Sequence, residues 1–100
     1  MIIRGTTPKM SFGLPFETSA VAIGFVVIRQ GKVPVVEKEF TKCKCNGNTV
    51  TAEFTQEDTL SLSADKKAEI NLVVRLLNGE RHESFSIFES VEDTSKEGII

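Results

Sequence analysis

The chain has no tryptophan, no tyrosine, one histidine (His82) and two cysteines (Cys43 and Cys45) among its 100 residues. Each shortage removes a class of function. Without Trp or Tyr there is no aromatic platform on which sugars or bases could stack. With one histidine no Ser-His-Asp grouping is suggested, and Ser84 and Ser86 read as hydroxyls on a solvated strand face. A zinc site would need two ligands beyond the cysteines, and His82 lies in a different hairpin, where the expected register sets it beside Arg75. Glu57 and Asp58, the closest carboxylates, belong to a capping turn. Gly-rich phosphate loops, EF-hand spacing and zincin motifs are all missing. The expectation is a non-enzymatic protein with no catalytic residue, no metal and no cofactor.

Positive charge is equally scarce. Twelve Lys and Arg stand against fourteen Asp and Glu, a net charge of −2, whereas nucleic-acid phosphate calls for a clustered basic excess. Lys38, Lys42 and Lys44 are close together, but Glu37 and Glu39 interleave with them, which reads as a solvated strand face. The longest apolar run, AVAIGFVVI over 20–28, is too short to span a bilayer as a helix. "MIIRGTTPKM" has no apolar stretch behind a basic start, so no secretory signal is expected. Two cysteines with neither leader nor anchor suit a reducing cytoplasm.

What the chain does have is alternation of period two, interrupted by turn residues. A length of 100 residues with 40% hydrophobic and 26% charged side chains argues for one folded domain over 1–100, with terminal segments at 1–7 and 92–100. Met10, Phe12 and Leu14 alternate with Ser11 and Gly13 until Pro15 ends the run. "AVAIGFVVIRQ" is apolar on both faces, as a central strand covered on both sides would be. Gln30-Gly31 turns it into "KVPVVEKEF", where Pro34 cannot donate a ladder hydrogen bond and demands an edge or a bulge.

Two Asn-Gly pairs are the strongest local signals. Asn46-Gly47 as the centre of a type I′ hairpin sets Cys45 opposite Asn48, Lys44 opposite Thr49 and Cys43 opposite Val50. Val50, Ala52 and Phe54 then face the core, and both cysteines point inward with them as small hydrophobes. Residues i and i+2 of one strand are also poorly placed for a disulfide. Asn78-Gly79 as a second such turn sets Ile70 opposite Ile87, Leu72 opposite Phe85, Val74 opposite Glu83 and Leu76 opposite Arg81. The poor match near that turn predicts a tip that is exposed or bulged. Between the hairpins alternation is lost, and Thr55-x-x-Asp58 predicts one short capped helical turn near 56–60. Leu60 and Leu62 should pin this connection to the core. Phe12, Phe25, Phe54 and Phe85 are expected in the core.

About seven strands with one short helical turn predict an all-β, antiparallel two-sheet sandwich, immunoglobulin-like in general shape. An incomplete small barrel is the alternative. The residues left over for function lie at the ends. Ile2, Ile3, Ile99 and Ile100 place apolar side chains where chains usually fray, and they either complete a sheet edge or dock onto another protein.

The stretches "GNTVTAEFTQEDTLSLS", "AEINLVVRLLNGE" and "SVEDTSKEGII", with the opening "LPFETSAVAIGFVVIRQ", resemble small structural proteins encoded by phages and prophages of Gram-positive bacteria. Asn71 departs from that pattern, where a glutamine would be expected. The resemblance implies a tail or baseplate component with an immunoglobulin-like sandwich. It implies a protein found in the host cytoplasm during assembly and then in the virion. The implied partners are other phage structural proteins or further copies of itself, with neither nucleic acid nor membrane. It carries over no catalytic or ligand residue. A stand-alone bacterial module that binds a protein or peptide by strand addition is the other reading of the same surface.

Overall fold

Alternation and turn chemistry divide the described residues into ten strands and one short α-helix. The computed structural model describes residues 1–84 and 86–100. The expectations for Phe85, its core position and its place opposite Leu72, lie outside the described residues. In chain order the elements begin with β1 (Ile2–Ile3), β2 (Lys9–Gly13), β3 (Val21–Gln30) and β4 (Val33–Glu39). They continue with β5 (Lys44–Asn46), β6 (Thr49–Glu53), α1 (Gln56–Leu60) and β7 (Ala68–Leu76), and end with β8 (Arg81–Glu83), β9 (Ile87–Glu89) and β10 (Val91–Glu92). Compared with the seven strands expected, β1 and β10 form an added short parallel pair, and β7 pairs with two short strands, β8 and β9.

A larger sheet runs β4-β3-β7-β8, with β9 also on β7, and a smaller one runs β2-β6-β5. Both are antiparallel, so the class is an all-β sandwich. Principal extents of 45 × 26 × 16 Å are thin enough for two layers about 10 Å apart. The core lies between them. Val26, Ile28, Val36, Ile70, Leu72 and Val74 come from the larger sheet, and Val50, Ala52 and Phe54 from the smaller one and its end, all buried. Leu62, Ile2 and Val91 close the open sides. Each large apolar side chain buried in this way contributes roughly 1.5–3 kcal/mol.

The edge expected from Pro34 is observed. β4 borders the sheet, and its pairing with β3 slips at Ile28/Arg29, where a bulge leaves Val35 out of register beside Pro34. The turn before it holds Gly31 and Lys32 at φ 59° and 68°, both positive as a type I′ turn requires. Gln30, buried one residue earlier, donates to the carbonyls of Ser63 and Lys66 and accepts from the Ser63 N–H. Its amide fastens the connection after α1 to the end of β3. α1 itself has the full capping box: the Asp58 N–H donates to the Thr55 hydroxyl, and the Thr55 N–H donates to the Asp58 carboxylate. Leu62 is buried as expected, and Leu60 is half-buried.

Both Asn-Gly turns differ from expectation in informative ways. In the first, Asn46 pairs with Thr49, Cys45 with Val50 and Lys44 with Thr51, so the loop is Gly47-Asn48. Only Gly47 has positive φ, at 60°, which is the type II′ pattern. Asn48 is claimed by β2, donating its amide to the Leu14 carbonyl and accepting from the Leu14 N–H. In the second, the Leu76 carbonyl accepts from Gly79, and the Leu76 N–H donates to Glu80. This is a three-residue loop, Leu77-Asn78-Gly79, with Gly79 at φ 92°, as in a type I turn with a glycine bulge. The extra loop residue moves the register by one, setting Val74 opposite His82 and Arg75 opposite Arg81. An odd shift exchanges the two faces of a strand. β9 is in the expected register, with Ile70 opposite Ile87.

Lys38 corrects the solvated-face reading of its neighbourhood. It pairs with the fully buried Val26 and turns inward, while Glu37 and Glu39 turn out. Its ammonium donates to the Asp58 carboxylate (2.7 Å) and the Glu53 carbonyl (3.1 Å), and lies 5.6 Å from the Phe54 ring centroid. One side chain thus ties β4 of the larger sheet to the end of β6 and to α1. Burial pushes the Asp58 carboxyl up, but the Lys38 hydrogen bond, the Thr55 backbone N–H and the lysine charge outweigh it, and the group is held below its ordinary value.

Two expectations follow for urea denaturation. Asp58→Ala should cost about 1–3 kcal/mol at pH 7. A carboxyl with a depressed folded pKa stabilises above its unfolded pKa and loses that contribution as pH falls through the folded one. The gap between wild type and Asp58→Ala should therefore close between about pH 5 and pH 2. The second concerns Gly24, where an added Cβ would sit 2.7 Å from the Phe40 ring. Gly24→Ala should cost about 1–3 kcal/mol, and Phe40→Leu in the same chain should recover part of it in a double-mutant cycle.

Candidate interaction surfaces

The cysteines come first, because the turn geometry decides them. β5 is a three-residue strand at the edge of its sheet, paired among the described residues with β6 alone. Its Cys45 is opposite buried Val50 yet exposed, because the strand overhangs the end of the core. The expectation that both thiols point inward therefore fails for Cys45. Cys43, just before the strand, is half-buried and packs on the core, with its sulfur 3.5 Å from the Glu39 carbonyl. Burial pushes the Cys43 thiol above its ordinary value, Cys45 pushes it further, and Lys38 pulls it partly back. Both cysteines are free. Among the described residues no group of three His, Cys, Asp or Glu side chains could hold a metal ion.

The register slip of β8 moves His82 as well. Expected on the outward face beside Arg75, it is on the inward side at the rim, opposite Val74. Its ring lies 5.9 Å from that of Phe16, tilted by 46°, and Nε2 is 3.0 Å from the Glu80 carboxylate. Leu14, Pro15 and Leu72 complete this shallow hollow.

The four terminal isoleucines separate into two kinds. Ile2 is buried, because β1 pairs with β10 and sets it opposite Val91. Ile3, Ile99 and Ile100 are on the surface, Ile99 and Ile100 exposed by 59% and 87%. Their segments are nevertheless held. Arg4 donates to the carbonyls of Leu60 and Leu62 and to the carboxylates of Asp93 and Glu97. The Gln56 amide both donates to and accepts from the backbone of Ile100. α1 is thus bound to the start of the chain through Arg4 and to its last residues through Gln56.

The outer face of the larger sheet was not legible as a surface. β3 was expected to be covered on both sides, and its outer row is covered only in part: Val27 is buried, Phe25 half-buried and Ile23 exposed. Ile23, Phe25 and Val27 alternate with the core residues and point away from the smaller sheet, beside Val73 of β7. Phe25, expected in the core, lines this outer groove instead, and Phe12 is half-buried at the core margin. The groove has a volume of about 370 Å³. Glu37 and Glu39 of β4 border it on one side, and Arg75 and Arg81 on the other. On the same face Asn71 is nine-tenths buried, and its Oδ1 has no hydrogen-bond partner among the described residues. The chain as a whole exposes 6214 Å², against roughly 5600 Å² for a folded monomer of 11.0 kDa.

No family model, curated protein or solved structure matches this chain. Among the described residues no helix is long and apolar enough to cross a membrane.

Maleimide labelling of the native protein should modify Cys45 first, with Cys43 at least about tenfold slower because its thiol is half-buried and harder to ionise. Equal rates, checked by mass spectrometry of the digested product, would contradict the positions described.

Proposed function

We propose that this protein is a non-enzymatic structural component of a phage or prophage virion, acting in tail or baseplate assembly. The resemblance of its turn and strand pattern to such proteins supports the class, and the β-sandwich suits it. The observation that carries an assembly role is the presentation of Ile99 and Ile100. Both side chains are exposed while the Ile100 backbone is clamped by Gln56. A frayed apolar end would pay for ordering when it docks, and a mounted one has paid already. On this reading the protein is made in the host cytoplasm and ends in the particle.

A second reading, a stand-alone bacterial module binding a protein or peptide by strand addition, is favoured by β9. This short strand pairs with β7, and its Ile87 and Phe88 are exposed. An added strand there would find main-chain partners and two apolar side chains.

Co-purification with tail and baseplate proteins encoded beside its gene separates the two. The assembly reading expects capture by at least one of them, reduced tenfold or more by Ile99→Ser with Ile100→Ser in a chain that remains folded. Capture of a non-phage host protein, lost on Phe88→Lys and unchanged by the isoleucine substitutions, would replace that reading with the second.

A further inference from the structure

The outer face of the larger sheet breaks two local rules at once. Its middle is apolar, with Ile23, Phe25, Val27 and Val73 forming an open groove. Its margins hold charges that form no ion pair among the described residues. Arg75 and Arg81 stand directly opposite each other on β7 and β8, an arrangement that repels, and neither forms an ion pair with a carboxylate among the described residues. Glu37 and Glu39, across the groove on β4, have no ion pair among the described residues either. Glu83, opposite Val73, and Glu69, farther along β7, are the acids on the arginine side; Glu69 is neutralised by Arg29, so two arginines stand there against the single charge of Glu83. A face with an acidic margin, an apolar floor and a basic margin is complementary to itself.

We propose that this face is an interface with a second copy of the same chain, related by a two-fold axis. An axis in the plane of contact, perpendicular to the line from the glutamates to the arginines, exchanges the two margins. Glu37 and Glu39 of each copy then meet Arg75 and Arg81 of the other, and the apolar floors stack between them. Such an interface is isologous and closes at two copies. It gives β3 the second covered face that its apolar residues call for. The dimer is independent of the terminal isoleucines and of any tail protein, so it goes beyond the assembly reading, and either can fail without the other.

Sedimentation equilibrium of the purified full chain, up to about 1 mM, tests it. The expected mass is twice the 11.0 kDa of one chain, and Phe25→Asp should weaken association at least a hundredfold. Two charge-reversed proteins keep the test decisive if that variant does not fold. One carries Glu37→Lys with Glu39→Lys, the other Arg75→Glu with Arg81→Glu. Each alone should associate at least tenfold more weakly than wild type, because both of its margins then have one sign. An equimolar mixture should restore association, because each contact again joins opposite charges. A monomeric wild type overturns the proposal. So do reversed variants that associate as wild type does, or a mixture that fails to recover.

Discussion

Everything in this fold leans on the two-sided pairing of β3. It is bonded to β4 along one edge and to β7 along the other, and its inward residues Val26 and Ile28 occupy the centre of the core. Gly24 continues that inward row, and the ring of Phe40 closes over it where any side chain would collide. At the far end Gln30 holds the connection that leads into β7. The same strand, through its other row of side chains, supplies the groove. The core and the most distinctive outer surface are therefore two faces of one ten-residue segment.

The architecture was legible because alternation and turn residues are local signals. β3 as a central strand, Pro34 at an edge, the inward row Val50, Ala52 and Phe54, and the capped turn at α1 could all be read without tertiary knowledge. The registers were less legible, since an Asn-Gly pair announces a turn without saying which residues sit at its tip. At Gly47 the loop began one residue later than expected, because Asn48 is drawn into bonds with Leu14, far away in sequence. At Gly79 a three-residue loop took the place of a two-residue one. The first change kept every side chain on its expected face, and the second turned β8 over.

Surfaces were harder to read than the core for a physical reason. Periodicity tells which residues share a face and not what lies against it. The double apolarity of β3 was visible, but the chain itself covers the second side only in part. Lys38 shows the opposite failure. A lysine among glutamates looks solvated, yet its stem follows the inward row and its ammonium finds Asp58 and the Glu53 carbonyl at the gap between the sheets. Cys45 was misplaced because strand parity says nothing about where a short edge strand runs past the end of its core.

The parallel pairing of β1 with β10 bears on how this protein acquires its shape. Ile2 and Val91 are opposite each other and both buried, though nearly the whole chain separates them. Bringing such distant residues together is entropically costly, and contacts of this kind slow folding. The hairpins can form early from neighbouring residues, but the core stays open on one side until these two strands meet. A partner that grips either end of the chain therefore acts on the contact of β1 with β10, whose closure spans nearly the whole chain.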